Sequence, residues 1–164
     1  MGRGDHRGRA GSAQIAPDQL AAELIALEEV RDGIEAQAVE ALGGLDVLIC
    51  NAAYQMTRES LEEIPDEEWE HTFKLNVGAY FYLAKAAVPH MAPGSAIIGS
   101  SSVNSDMPVP TLAPYAATKA GVSALAEGLH VETIKKRLPI RITTLHPGYI
   151  ETDLSGSSAK TPFM

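Results

Sequence analysis

At 164 residues with 45% hydrophobic content, the chain has enough apolar material for one domain with a real core and is short for two. Thirteen basic against twenty-one acidic residues leave a net charge of −8, which argues against a nucleic-acid partner and favours a small neutral or anionic ligand held locally. Cys50 is the only cysteine, so an internal disulfide is excluded; the Arg-rich start lacks the apolar core of a secretory signal, and no apolar run approaches a membrane span, so no membrane partner and a cytoplasmic location are expected.

Residues 1–13 are Gly, Arg and Ser with almost nothing to bury and read as a disordered tail, and residues 14–164 as a single domain. The Arg3-Gly4-Asp5 tripeptide inside that tail is too short and common to carry a function. From Pro17 to about Leu42 the pattern is helical, with Leu20, Leu24, Leu27, Ile34 and Val39 on one stripe, and Gly43-Gly44 ends it. Leu45–Cys50 is a continuous apolar run suited to a strand buried on both faces. The acidic stretch from Glu59 to Glu70 reads as a solvated loop and helix start, opening a long helix from Pro65 to about Met91. A second strand is expected at Ser95–Ser100, a helix at Pro114–Arg137 and a third strand at Ile140–Leu145, before His146-Pro147-Gly148 breaks the chain. Strand, helix, strand, helix, strand predicts an α/β fold with right-handed crossovers and a parallel sheet of about three strands.

Polar residues cluster where such a sheet places a ligand. Asn51 follows the first strand, Ser100 to Ser102 follow the second and Pro147-Gly148 follows the third, all at carboxyl ends of parallel strands. Asn51 capping a turn and Pro147-Gly148 merely stopping a strand are the plainer alternatives. Tyr115 and Lys119, four apart on a helix, point about 40° from each other and can reach one bound molecule. A free tyrosine titrates near 10, too high for proton transfer at neutral pH, and a nearby ammonium pulls that value down. A serine of the preceding loop would hold a substrate oxygen within reach of the phenol. Ser102, thirteen positions before Tyr115, is preferred over Ser100 and Ser101 on that interval alone. His71, His90, His130 and His146 show no metal-ligand spacing, so no metal is expected. Trp69 reads as a core or helix-packing residue.

With these residues in place, the stretch from about Gly43 to Leu154 resembles the short-chain dehydrogenase/reductase family. The resemblance rests on Asn51-Ala52-Ala53, on Asn76-Val77-Gly78 with Ala84 and Pro89 after it, on Ser102, Tyr115 and Lys119, and on Pro147-Gly148-Tyr149-Ile150-Glu151-Thr152. Asn51 to Met56 and Ser101 to Asn104, leading to Pro108 and Pro110, look closest to the glucose/ribitol-dehydrogenase-like branch. The resemblance implies a partial Rossmann-type domain and hydride transfer between NAD or NADP and a small alcohol or carbonyl compound of the sugar or polyol class. It implies that Tyr115 gives or takes the hydroxyl proton and that Lys119 depresses its pKa and holds the cofactor ribose. Ser102 would orient the substrate, and Asn76 would hold a water linking Lys119 to solvent. Asn51, Ala52, Pro147, Gly148, Ile150 and Thr152 would line the cofactor pocket together with Tyr115 and Lys119. Homo-oligomers through the two long helices are the family's habit, and the apolar faces around Phe81 and Ala124 suit it.

The family's Thr-Gly-x-x-x-Gly-x-Gly turn, whose backbone amides meet the cofactor pyrophosphate, is missing from this sequence. Gly4, Gly8 and Gly11 have the wrong final spacing and follow no strand. The chain therefore reads as truncated at both ends, with cofactor binding impaired and the neighbour of the Leu45–Cys50 strand lost. An alternative is a catalytically silent fragment acting at most as an interaction module.

Overall fold

The structure is a computed structural model describing residues 39–41 and 43–148. The expected tail, nearly all of the helix from Pro17 to Leu42, and Ile150 and Thr152 lie outside the described residues. Six regular elements follow in order: β1 (Leu45–Cys50), α1 (Asp66–Phe73), α2 (Ala79–Ala87), β2 (Met91–Ser100), α3 (Ala113–Lys136) and β3 (Arg141–Leu145). All three strands are parallel, in the order β1-β2-β3, with Ile49 beside Ile98 and Ile98 beside Thr143. This is the expected partial Rossmann-like α/β arrangement.

The core lies between one face of the sheet and the helices. Ile97 at the centre of β2 is fully enclosed by Tyr80 and Ala84 of α2, Val122 and Ala126 of α3, and Ile140, with Leu48, Cys50 and Ile142 packed alongside. Alternation along β1 sends Leu48 and Cys50 into this core and their neighbours to the opposite side. Val47 and Ile49 are consequently 50% and 61% exposed, so β1 is not buried on both faces as its apolar run suggests. Both long helices pack on a single side, and an apolar run alone does not reveal which faces receive a cover.

β2 begins four residues earlier than expected, at Met91. The register absorbs the extra length through an irregularity: Leu45 pairs with Met91, whereas Val47 already pairs with Ala96. Gly94, at φ +95, makes the bend there and donates its N–H to the Pro139 carbonyl at 2.8 Å. The helix expected from Pro65 to Met91 is interrupted. A π-helical turn at Lys74–Gly78 separates α1 from α2, and Pro89 in the 3-10 turn Val88–His90 stops the helix before Met91. Asp66, Glu67 and Glu68 occupy the first turn of α1, where the helix dipole favours negative charge. α3 starts with Pro114 in its first turn and ends at Arg137 in the left-handed region, with Leu138 N–H donating to the Thr133 carbonyl at 2.9 Å.

Candidate active site

The carboxyl ends of β2 and β3 continue as paired backbone. Ser101 N–H donates to Leu145 O at 2.8 Å and Val103 N–H to Pro147 O at 3.0 Å, which fixes the serine loop against the segment leaving β3. The three serines then divide their work. The Ser100 carbonyl accepts from Lys119 Nζ at 2.6 Å. Ser101 donates its hydroxyl to the Lys119 carbonyl and shares a hydrogen with Ser123, both at 2.8 Å. Ser102 is extended and accepts the Asn104 N–H at 3.2 Å on its Oγ. Of the three serines, Ser102 is the one that acts on the Tyr115 phenol, lowering its pKa.

Tyr115 lies in the first turn of α3, half-buried, and Lys119 one turn on is 3% exposed. The Lys119 ammonium stands over the Tyr115 ring, 5.4 Å from its centroid. Burial pulls Lys119 down to about 8. Burial also pushes Tyr115 above its ordinary value, with the Ser102 hydrogen bond opposing. The sequence reading expects Lys119 to depress the phenol; in the structure desolvation dominates, and the ammonium is engaged by the Ser100 carbonyl and the ring face.

Asn76 sits in the π turn, 4% exposed. Its Oδ1 accepts from Tyr54 N–H at 2.7 Å, and its Nδ2 donates to Tyr54 O and to Thr118 Oγ1, both at 2.9 Å. Thr118, fully buried, donates in turn to the Tyr115 carbonyl at 2.7 Å. Asn76 therefore joins the Tyr115 helix through a hydroxyl that sequence reasoning passed over. The available signal was a threonine inside the Tyr-Ala-Ala-Thr-Lys turn, able to bond back three residues along its own helix.

Asn51 and Ala52 are exposed at the end of β1 and, with Cys50, Asn76, Tyr80 and Ser100, line a pocket of about 80 Å³. Burial pushes the Cys50 thiol up to about 11, so it is a packing group and not a nucleophile at neutral pH. Pro147 and Gly148 are exposed after β3, and a methyl group added at Gly148 would meet nothing within 4 Å. Among the described residues, no group of three or more His, Cys, Asp or Glu side chains is placed to hold a metal, and no helix is long and apolar enough to cross a membrane. Trp69 is 43% exposed and packs on Phe73 with ring centroids 4.5 Å apart, a helix-packing residue outside the core.

Residues 19–162 match the short chain dehydrogenase family. Glucose and ribitol dehydrogenase of Daucus carota is 39% identical over 122 residues, which are 74% of this chain and 42% of that protein. General stress protein 39 of Bacillus subtilis is 40% identical over 118 residues, covering 72% and 41% respectively. Among solved structures, a blue fluorescent protein from a metagenomic library in complex with NADPH aligns with a TM-score of 0.71 and 30% identity over 78% of this chain and 51% of that one. The chain spans less than half the length of these curated relatives. With the match running through both Asn76 and the Tyr115–Lys119 turn, the chain belongs to the short-chain dehydrogenase/reductase family.

Proposed function

We propose that this chain carries the proton-transfer half of an NAD(P)-dependent oxidoreductase acting on a small alcohol or carbonyl compound of the sugar or polyol class. The observation that carries the reading is the Lys119 ammonium over the Tyr115 ring, 5.4 Å from its centroid, with Ser102 acting on the same phenol. Ser102 holds the substrate oxygen beside the phenol, and Tyr115 is the general acid/base. Burial holds the Tyr115 phenol above its ordinary value, and the Ser102 hydrogen bond opposes that shift. Lys119, near 8, exchanges protons at physiological pH and can restore the one that Tyr115 gives up. The Asn76 amide is committed to Tyr54 and Thr118, so a water on this path would use the remaining lone pair of Oδ1 or nearby backbone groups.

The residues fit the nicotinamide and ribose end of the cofactor. Lys119 has three donors and spends one on Ser100, while Asn51, Ala52, Pro147 and Gly148 border open space at the strand ends. When bound, the cofactor supplies the hydride. The carrot relative's name and the NADPH bound to the metagenomic relative support the substrate and cofactor classes. A second reading is a catalytically silent chain with impaired cofactor binding, acting at most as an interaction module. Homo-oligomers and a cytoplasmic location belong to the first reading. Half-exposed Phe81 with Ala84, Ala124, Leu125 and Gly128 edges a groove of about 580 Å³ between the outer faces of α2 and α3, suited to a second copy.

A fluorescence titration with NADH and NADPH separates the two readings. Binding below millimolar concentration, with carbonyl turnover that falls by ~10²–10⁴ in Tyr115→Phe, supports the enzyme; no binding of either cofactor leaves the silent fragment.

A further inference from the structure

The loop after β1 is gripped from both sides by one residue. Arg58 Nε donates to both carboxylate oxygens of Glu68, at 3.3 and 3.2 Å, and Nη2 pairs with the same carboxylate, giving a fork on the first turn of α1. The two side chains are only 16% and 10% exposed. The backbone N–H of Arg58 donates to Thr111 O at 3.0 Å, four residues before Tyr115 on the approach to α3. Between β1 and this double anchor lies Tyr54, whose N–H and carbonyl clasp the Asn76 amide. The Tyr54 ring meets His71 edge-on, with centroids 4.8 Å apart, on the side facing α1.

We propose that Arg58 is a positioning residue for this site: by tying the loop to α1 and to the entry of α3, it holds the Tyr54 backbone where it fixes Asn76, and through Thr118 the turn bearing Tyr115. The carboxylates facing the guanidinium are Glu68 and Glu63, with the neutral Tyr54 hydroxyl nearby, and the Glu68 fork is the principal tie. A bidentate guanidinium–carboxylate pair sets direction as well as distance, which an ammonium at the same place does only in part. The segment from Asn51 to Arg58 contains no helix or strand, and among the described residues the other tie on its far end is the backbone bond from Arg58 to Thr111. The inference rests on the oxidoreductase reading for its catalytic consequence, and on geometry alone for the fixing of Tyr54.

The test compares Arg58→Met, Arg58→Lys and Glu68→Gln with the parent chain by residue-resolved amide exchange and by steady-state carbonyl reduction with NADPH. Arg58→Met is expected to speed exchange of the Tyr54 amide about tenfold or more while central β2 amides keep their rates; Arg58→Lys recovers part of the protection. Should Arg58→Met fail to fold, Glu68→Gln, which keeps the shape of its side chain, gives the same pattern at smaller amplitude. In turnover, kcat falls about tenfold with the KM values nearly unchanged, and Arg58→Lys restores part of it. An unaltered Tyr54 amide, or a rise in KM with kcat intact, overturns the proposal. A parent chain that binds cofactor without turning over overturns the oxidoreductase reading instead, and the Tyr54 exchange rate then decides on Arg58 by itself.

Discussion

Lys119 is a cation taken almost entirely out of water, and its compensation is one carbonyl and one aromatic face. Its folded value near 8 lies below the ordinary 10.5, so the unfolded chain binds more protons between these limits and stability rises with pH across that window. The full difference is on the order of 3 kcal/mol. Cys50, raised from 9.0 to about 11, works in the opposite sense from pH 9 upward, so the clean rise is confined to pH 8–9 in the parent chain. Urea denaturation at pH 7, 8, 9 and 10 is expected to show Lys119→Met gaining most over the parent at pH 7, with the advantage shrinking toward pH 10; a pH-independent difference would refute buried, depressed Lys119. Of the candidate set, Tyr115 and Lys119 were legible from their helical spacing, whereas Ser102 rested on its interval to Tyr115 and Asn76 on the family resemblance. Tyr54, Thr118 and Arg58 were not: Tyr54 and Asn76 are 22 positions apart and Asn76 and Thr118 are 42, and each hydrogen bond exists only once the loop, the π turn and α3 are packed.

At the level of elements, the strands announced themselves through short apolar runs, and the alternation of helix and strand was enough for the parallel sheet. The π turn at Lys74–Gly78 left no such trace, since residues of ordinary helix propensity surround it and its ties, from Asn76 to Tyr54 and Thr118, form only on packing. Gly121 of α3 packs against that turn. A methyl group there would come within 3.2 Å of Val77 Cγ2, and a β-branched side chain has little rotamer freedom to yield. Replacing glycine by alanine normally gains about 1 kcal/mol in a helix interior. Here overpacking at ~1–3 kcal/mol is the larger effect, so Gly121→Ala is expected to lower stability in chemical denaturation and to shift the amide resonances of Asn76 and Val77. A more stable Gly121→Ala variant would mean that the contact between α3 and the π turn is looser than it stands.

At the scale of the whole fold, the described elements cover the sheet on one side, and β1 is one of its two edges among the described strands. Val47 and Ile49 make that edge apolar on the bare face, the condition under which sheets join one another. Sedimentation velocity is expected to resolve two kinds of association: Ile49→Thr suppresses open-ended aggregation and leaves a discrete oligomer, whereas Ala124→Glu, on the helical groove, dissolves the oligomer and leaves the aggregation. Reversal of these assignments would place the subunit contact on the sheet. The parallel topology also governs how the molecule comes into being. Val47 has its partner about fifty residues downstream at Ala96, and Ala96 has its own nearly as far again at Arg141. Among the described strands no hairpin can seed the sheet, so during synthesis β1 leaves the ribosome several seconds before β2, at ordinary rates of about 5–20 residues per second. The interval falls on a stretch whose Val47 and Ile49 the described elements leave half-exposed, which makes nascent Leu45–Cys50 an aggregation hazard during synthesis.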